Sequence, residues 1–136
     1  MTAVVVDPQT EGLGVMLAEL VRANLSAHPK RAKHLARAGT VNILATDADV
    51  EVGLRLGDGE FRVGPAHAVA DLSVATSSEL LLSLSNVPLR FGLPDSFTAE
   101  GRRVTGKLMK GEIQLHGVPR HLKLLTRLNH LLSVRA

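Results

Sequence analysis

Apolar positions change their period along this chain, and the changes divide it into segments. Leu13, Met16, Leu17, Leu20, Val21 and Leu25 recur at intervals of three and four, which predicts an amphipathic helix. Pro29 resets the pattern. Lys30 to Ala38 predicts a second, short helix with Leu35 on its apolar side and Gly39 placed to close it. From Thr40 the period becomes two, and Val41 to Thr46 predicts a first strand. In the next strand Val52, Leu54 and Leu56 share one face while Glu51, Gly53 and Arg55 share the other. Gly57, Asp58 and Gly59 predict a hairpin turn, because Asp-Gly tolerates the positive φ angles such turns need. Phe61 and Val63 continue the inward face in a third strand, which Gly64 and Pro65 interrupt. Ala70 to Thr76 predicts a fourth, with Leu72 and Val74 inward.

Ser77, Ser78 and Glu79 read as a helix start, since hydroxyls there accept bonds from the first free amides. The helix continues through Leu80, Leu81, Leu82 and Leu84 until Pro88 ends it. Residues 87 to 98 carry Phe91 and Phe97 among Pro and Gly and read as a loop with apolar side chains. Ala99 to Lys110 predicts a helix, and Glu112 to His116 a fifth strand with Ile113 and Leu115 inward. Pro119 to Val134 predicts a terminal helix with Leu122, Leu125, Leu128 and Leu132 as its stripe. This succession predicts an α+β fold, a five-stranded mainly antiparallel sheet with helices packed on one face. With 136 residues, the chain fits one domain (1–136), with a helical part at 9–38 and sheet plus helices at 40–134.

Composition narrows what such a domain could hold. With three Phe and neither Trp nor Tyr, the apolar volume is almost wholly aliphatic, which suits acyl chains or sterol-like rings better than nucleobases. Cysteine is absent, which excludes disulfides and thiolate chemistry. The chain opens without a cationic leader and has no apolar run near the ~20 residues of a spanning helix, so a cytoplasmic location is expected. The net charge of +3 is unevenly distributed, with basic ends and an acidic middle, as in proteins that meet anionic surfaces. Arg103, Lys107 and Lys110 fall close to one helical face and are the expected contacts with such a surface. An acidic middle and the lack of stacking aromatics count against nucleic acid.

Catalytic patterns do not emerge. His116 and His121 straddle a Gly-Val-Pro turn and match no helical metal pair, and Asp47, Asp49 and Glu51 lack the glycine bend of a calcium loop. Neither a Gly-x-Ser-x-Gly turn nor a phosphate-binding Walker loop is present. Asp71 and Glu79 are the acids nearest the apolar elements, and both are expected to face solvent. No catalytic residue, metal or cofactor is therefore predicted.

Three segments in order, LRLGDGEFRV (54–63), VADLSVATSSELLLSL (69–84) and MKGEIQLHG (109–117), resemble the sterol carrier protein (type two) lipid-binding family and its bacterial branch. The resemblance covers about residues 40 to 134. VPLRFGLPDSFTAEGRR lengthens the connection between the Leu-rich helix and the last strand relative to the family, and the ending SVRA is not a peroxisomal address. The resemblance implies non-catalytic binding or transfer of a fatty acid, acyl-CoA, sterol or isoprenoid lipid in an apolar cavity between sheet and helices. The expected wall is Leu54, Leu56, Phe61, Leu81, Leu84, Phe91, Phe97, Leu108, Ile113, Leu125 and Leu128, with the Phe91–Phe97 loop as a lid. The alternative implied is an accessory scaffold that holds hydrophobic intermediates for a partner enzyme; a homodimer is also compatible.

Overall fold

Period-two alternation in the middle of the chain builds a sheet that is sealed by helices on one face. The computed structural model describes residues 4–8, 10, 12–84, 89–90, 93–94, 98–117 and 120–133. Its elements run β1 (Val4–Val6), α1 (Leu13–Ala27), a 3-10 helix (Pro29–Leu35), β2 (Gly39–Ala45), β3 (Val50–Gly57), β4 (Glu60–Gly64) and β5 (Leu72–Thr76). There follow α2 (Ser78–Leu84), the short strands β6 (Leu89–Arg90) and β7 (Leu93–Pro94), α3 (Ala99–Met109), β8 (Gln114–His116) and α4 (Leu122–Leu132).

The main sheet has six strands in the order β1-β4-β3-β2-β5-β8, and β6 pairs with β7 apart from it. Five strands are expected from the alternation; the sixth is β1, three valines too short to display a period. It adds in parallel to the free edge of β4, Val4 opposite Phe61 and Val6 opposite Val63. The β2–β3, β3–β4 and β5–β8 pairs are antiparallel, whereas β2 and β5 run parallel, so the sheet is mixed. Asp58 and Gly59 take φ of 54° and 76°, the two positive angles that a tight hairpin between β3 and β4 requires.

Register places one apolar set on one face. Val41 lies opposite Leu54 and Leu72, Ile43 opposite Val52 and Val74, and Leu56 opposite Phe61, all buried. α1 covers the β1–β4–β3 half of the sheet. A Cβ added to Gly14 would lie 3.2 Å from Val63 Cγ1 and 3.4 Å from Val52 Cγ1, so the helix backbone rests almost directly on those strands. The deepest line along α1 is Gly14, Leu17, Ala18, Val21 and Asn24, with Leu13, Met16, Leu20 and Leu25 half-buried beside it. α4 packs against α1 and the 3-10 helix. Its buried residues are Leu124, Leu128 and Leu131; Leu122 is exposed and Leu125 and Leu132 are half-buried. With Leu at six positions of this helix, two overlapping stripes satisfy helical spacing, and docking selects the one that reaches the core. Among the described residues no helix is long and apolar enough to cross a membrane.

The opposite face of the sheet carries a strap, residues 65–70. Asn42 Nδ2–H donates to His67 O, and His67 N–H donates back to Asn42 Oδ1, both at 2.9 Å. The strap crosses Gly53 so closely that an added Cβ would stand 2.3 Å from Pro65 O and 3.1 Å from the His67 ring. Gly53→Ala is therefore expected to lower stability by about 1–3 kcal/mol in urea unfolding, because backbone must move to admit a methyl group. Gly106 lies inside α3 with nothing within 4 Å of its added Cβ. Gly106→Ala is expected to raise stability by roughly 0.4–1 kcal/mol, read as a higher urea midpoint, since it restricts the unfolded chain without a clash.

Candidate functional site

Between the sheet and its helices lies one continuous apolar cluster, the expected location of the ligand wall. Leu54, Leu56 and Phe61 are fully buried in it, and Ile113 and Leu128 are buried alongside. Leu81 and Leu125 pack against the cluster from its partly exposed margin. Five expected wall residues thus meet in the interior and two stand at its rim. Phe91 and Phe97 lie outside the described residues, as do the side chains of Leu84 and Leu108.

The excursion between β5 and β8 is bound to the sheet by polar contacts at its ends. Asp47 Oδ1 accepts the Ser78 N–H at 2.8 Å and its hydroxyl at 3.0 Å, so an acid before β3 caps α2. These two bonds hold the exposed Asp47 carboxyl below its ordinary range. Ser77 Oγ accepts the Leu80 N–H at 3.2 Å, as the sequence predicts for a helix start. Buried Thr76 donates its hydroxyl to Glu112 O at 3.0 Å and anchors the approach to β8. Leu80, Val104 and Ile113 from this excursion join the core, with Leu81 and Leu115 half-buried beside them.

The buried polar residues among those described are Asn24, Asn42, Thr76 and Ser133; none of them titrates. Asp71 and Glu79 are exposed, and Asp71 is engaged reciprocally with Thr40: its Oδ2 accepts the Thr40 N–H and its N–H donates to Thr40 Oγ1. Among the described residues no three His, Asp or Glu side chains gather as metal ligands. Of the expected basic contacts, Arg103 and Lys110 are exposed, while Lys107 Nζ lies 3.5 Å from Glu112 Oε2. Among the described residues the apolar interior therefore contains no titratable side chain.

A second cluster, at the junction of the 3-10 helix with α4, escapes sequence reasoning. His34 and His130 stack with ring centroids 4.7 Å apart and planes 4° from parallel. Burial first, then His130, Lys33, Arg127 and Arg31, pushes His34 down to about 4. His130 is lowered likewise by burial and by Arg31 and Lys33. Arg127 Nη1 donates to Arg37 O at 2.9 Å and His34 O at 3.4 Å, and Arg31 Nη1 donates to Ser133 O. Neither histidine sits in a recognisable motif, and nothing local pairs residues so distant in the chain.

No protein-family model matches the sequence, and no curated protein matches it either. Solved structures do. A ubiquinone synthesis protein described as UbiJ-SCP2 aligns over 88% of this chain and 92% of its own, at 14% identity and a TM-score of 0.61. Sterol carrier protein domain 2 of Helicoverpa armigera aligns over 96% of this chain and 94% of its own, at 14% identity and a TM-score of 0.54. The stereoselective inverting sec-alkylsulfatase Pisa1 from Pseudomonas sp. aligns over 93% of this chain at 19% identity and a TM-score of 0.57. This chain spans only 17% of that enzyme. The fold, six mixed strands with helices packed on them, is that of the sterol carrier protein domains.

Proposed function

We propose that this domain binds a hydrophobic ligand (a fatty acid, acyl-CoA, sterol or isoprenoid lipid) between its sheet and helices, without chemistry of its own. The observation that carries this reading is an almost wholly aliphatic interior, free of titratable side chains among the described residues, within a sterol carrier fold. Each methylene removed from water contributes about 0.8 kcal/mol, so an eight-carbon segment would supply roughly 6 kcal/mol before ordering costs. A ligand has to part side chains that already touch. The least costly entry is the half-buried margin at Leu81 and Leu125, with Leu54, Leu56, Phe61, Ile113 and Leu128 as the floor. Leu84, Phe91, Phe97 and Leu108 are proposed as further contacts. Arg103 and Lys110 would meet an acyl-CoA phosphate or an anionic headgroup, whereas Lys107 already has Glu112.

A second reading is favoured by the ubiquinone synthesis protein that shares this fold over most of both chains. In that reading the domain holds a hydrophobic intermediate for a partner enzyme. Ubiquinone carries a long isoprenoid tail, a shape an aliphatic interior would accept.

Organic extraction of the purified protein followed by mass spectrometry, with denatured protein as blank, is expected to release a lipid in stoichiometric amount. Leu81→Trp and Leu125→Trp, each folded by far-ultraviolet circular dichroism, are expected to weaken uptake of a fluorescent fatty acid about tenfold or more. That loss corresponds to roughly two methylenes of displaced contact. Absence of both extracted lipid and uptake would sink the carrier reading.

A further inference from the structure

We propose that the face formed by the 3-10 helix and α4 is a docking surface for an anionic lipid bilayer, and that docking is coupled to proton uptake by His34 and His130. The charge argument begins in the sequence. No Asp or Glu occurs from Leu20 to Ala38, and none from Ile113 to Ala136. Those two acid-free segments are far apart in the chain, yet the fold lays one against the other. Asn24 Nδ2–H donates to Leu131 O at 2.9 Å, Arg127 reaches the His34 and Arg37 carbonyls, and the two imidazoles stack across the seam. Lys123 and Arg127, one turn apart on α4, add their charge to the exposed Lys30, Lys33 and Arg37, and His130 follows on the same stripe. Two basic segments thereby become one cationic face.

A bilayer suits this face better than nucleic acid does. None of the three Phe, at 61, 91 and 97, lies in either segment, so no aromatic ring other than imidazole offers a base a stacking partner. Leu122, 38% exposed beside Lys123, would meet the apolar layer beneath lipid headgroups. A carrier must also collect its lipid from a bilayer; this argument alone rests on the function proposed above.

The histidine pair supplies the coupling. Two imidazolium rings at this separation repel each other, and the charges acting on them, from Lys33, Arg31 and Arg127, are all cationic. Of the elements packed against the pair's helices, α1 carries Glu19 and Arg22, both exposed. The β3–β4 turn, whose Gly59 N–H donates to Leu35 O, brings Asp58 to the rim. Both rings are consequently neutral in the free protein near pH 7. Lipid phosphates would supply the counter-charge and raise both values, so that docking takes up protons and strengthens as pH falls. If docking returns His34 to its ordinary 6.5 from about 4, that ring alone raises affinity about tenfold between roughly pH 7.5 and pH 5.5.

The test is co-sedimentation of the full chain with phosphatidylcholine vesicles, with and without about one-third phosphatidylglycerol, across that pH range. Binding is expected only to the anionic vesicles. Neutralising Lys30, Lys33 and Arg37 together to Gln is expected to weaken it roughly fivefold per charge, on the order of a hundredfold in all. The double variant His34→Gln, His130→Gln is expected to bind as the parent does at the upper pH and to lose the rise at the lower. Arg55→Gln, an exposed charge on the face of β3 away from the helices, is expected to leave binding unchanged. Equal binding to neutral vesicles, indifference to the triple variant, or a pH rise that survives loss of both histidines would overturn the proposal. So would preference for duplex DNA over anionic vesicles at the same ionic strength. Fatty-acid uptake measured without vesicles separates the two readings: its failure removes the carrier function and leaves the docking face standing.

Discussion

The attachment of α4 to the first third of the chain is the constraint on which the remaining architecture depends. A helix end leaves carbonyls without partners, and here side chains from elsewhere supply the donors. Asn24, buried in α1, bonds to Leu131 O, and Arg127 spans from α4 to the carbonyls that end the 3-10 segment. Gly39, the first residue of β2, lets Leu124 sit where any side chain would collide, since an added Cβ would lie 2.5 Å from Leu124 Cδ1. These contacts bring Leu124, Leu128 and Leu131 onto the sheet and close the apolar cluster. They also bring His130 onto His34. Core closure and the cationic face are consequences of one docking event.

Charge and apolar volume are kept strictly apart by this arrangement. The buried polar side chains among the described residues are neutral, and the ion pairs Arg62–Glu60 and Lys107–Glu112 lie on the surface. Exposed pairs of this kind contribute little to stability, so the fold rests on burial and strand pairing. The same fold occurs inside an alkylsulfatase of which this chain spans 17%.

Reading the chain from its residues recovers the central strands and the hairpin at Asp58-Gly59, because both are written in short-range patterns. Alternation in Val52, Leu54 and Leu56 leaves one face to bury, and two positive φ angles leave few residues able to turn. The apolar membership of the interior is legible for the same reason: Leu54, Leu56 and Phe61 lie on the face that must be covered. Exposure of Asp71, next to the inward-facing Leu72, follows from the same alternation.

Other features have no local signature. β1 is three valines that become a strand only because β4 has a free edge to accept them. In α4 the density of leucine leaves the buried stripe undetermined until the helix meets β2, and Leu124 rather than Leu122 turns inward. The strap over Gly53 depends on Asn42 finding the main chain of a residue 25 positions away. The stacking of His34 on His130 depends on two helices that share no motif. Local sequence settles what each segment must hide, because side-chain periodicity and backbone freedom act over a few residues. Which segments hide one another, and which charges are left facing outward together, follows from long-range docking, where the free energy of closing the whole core outweighs any single local preference.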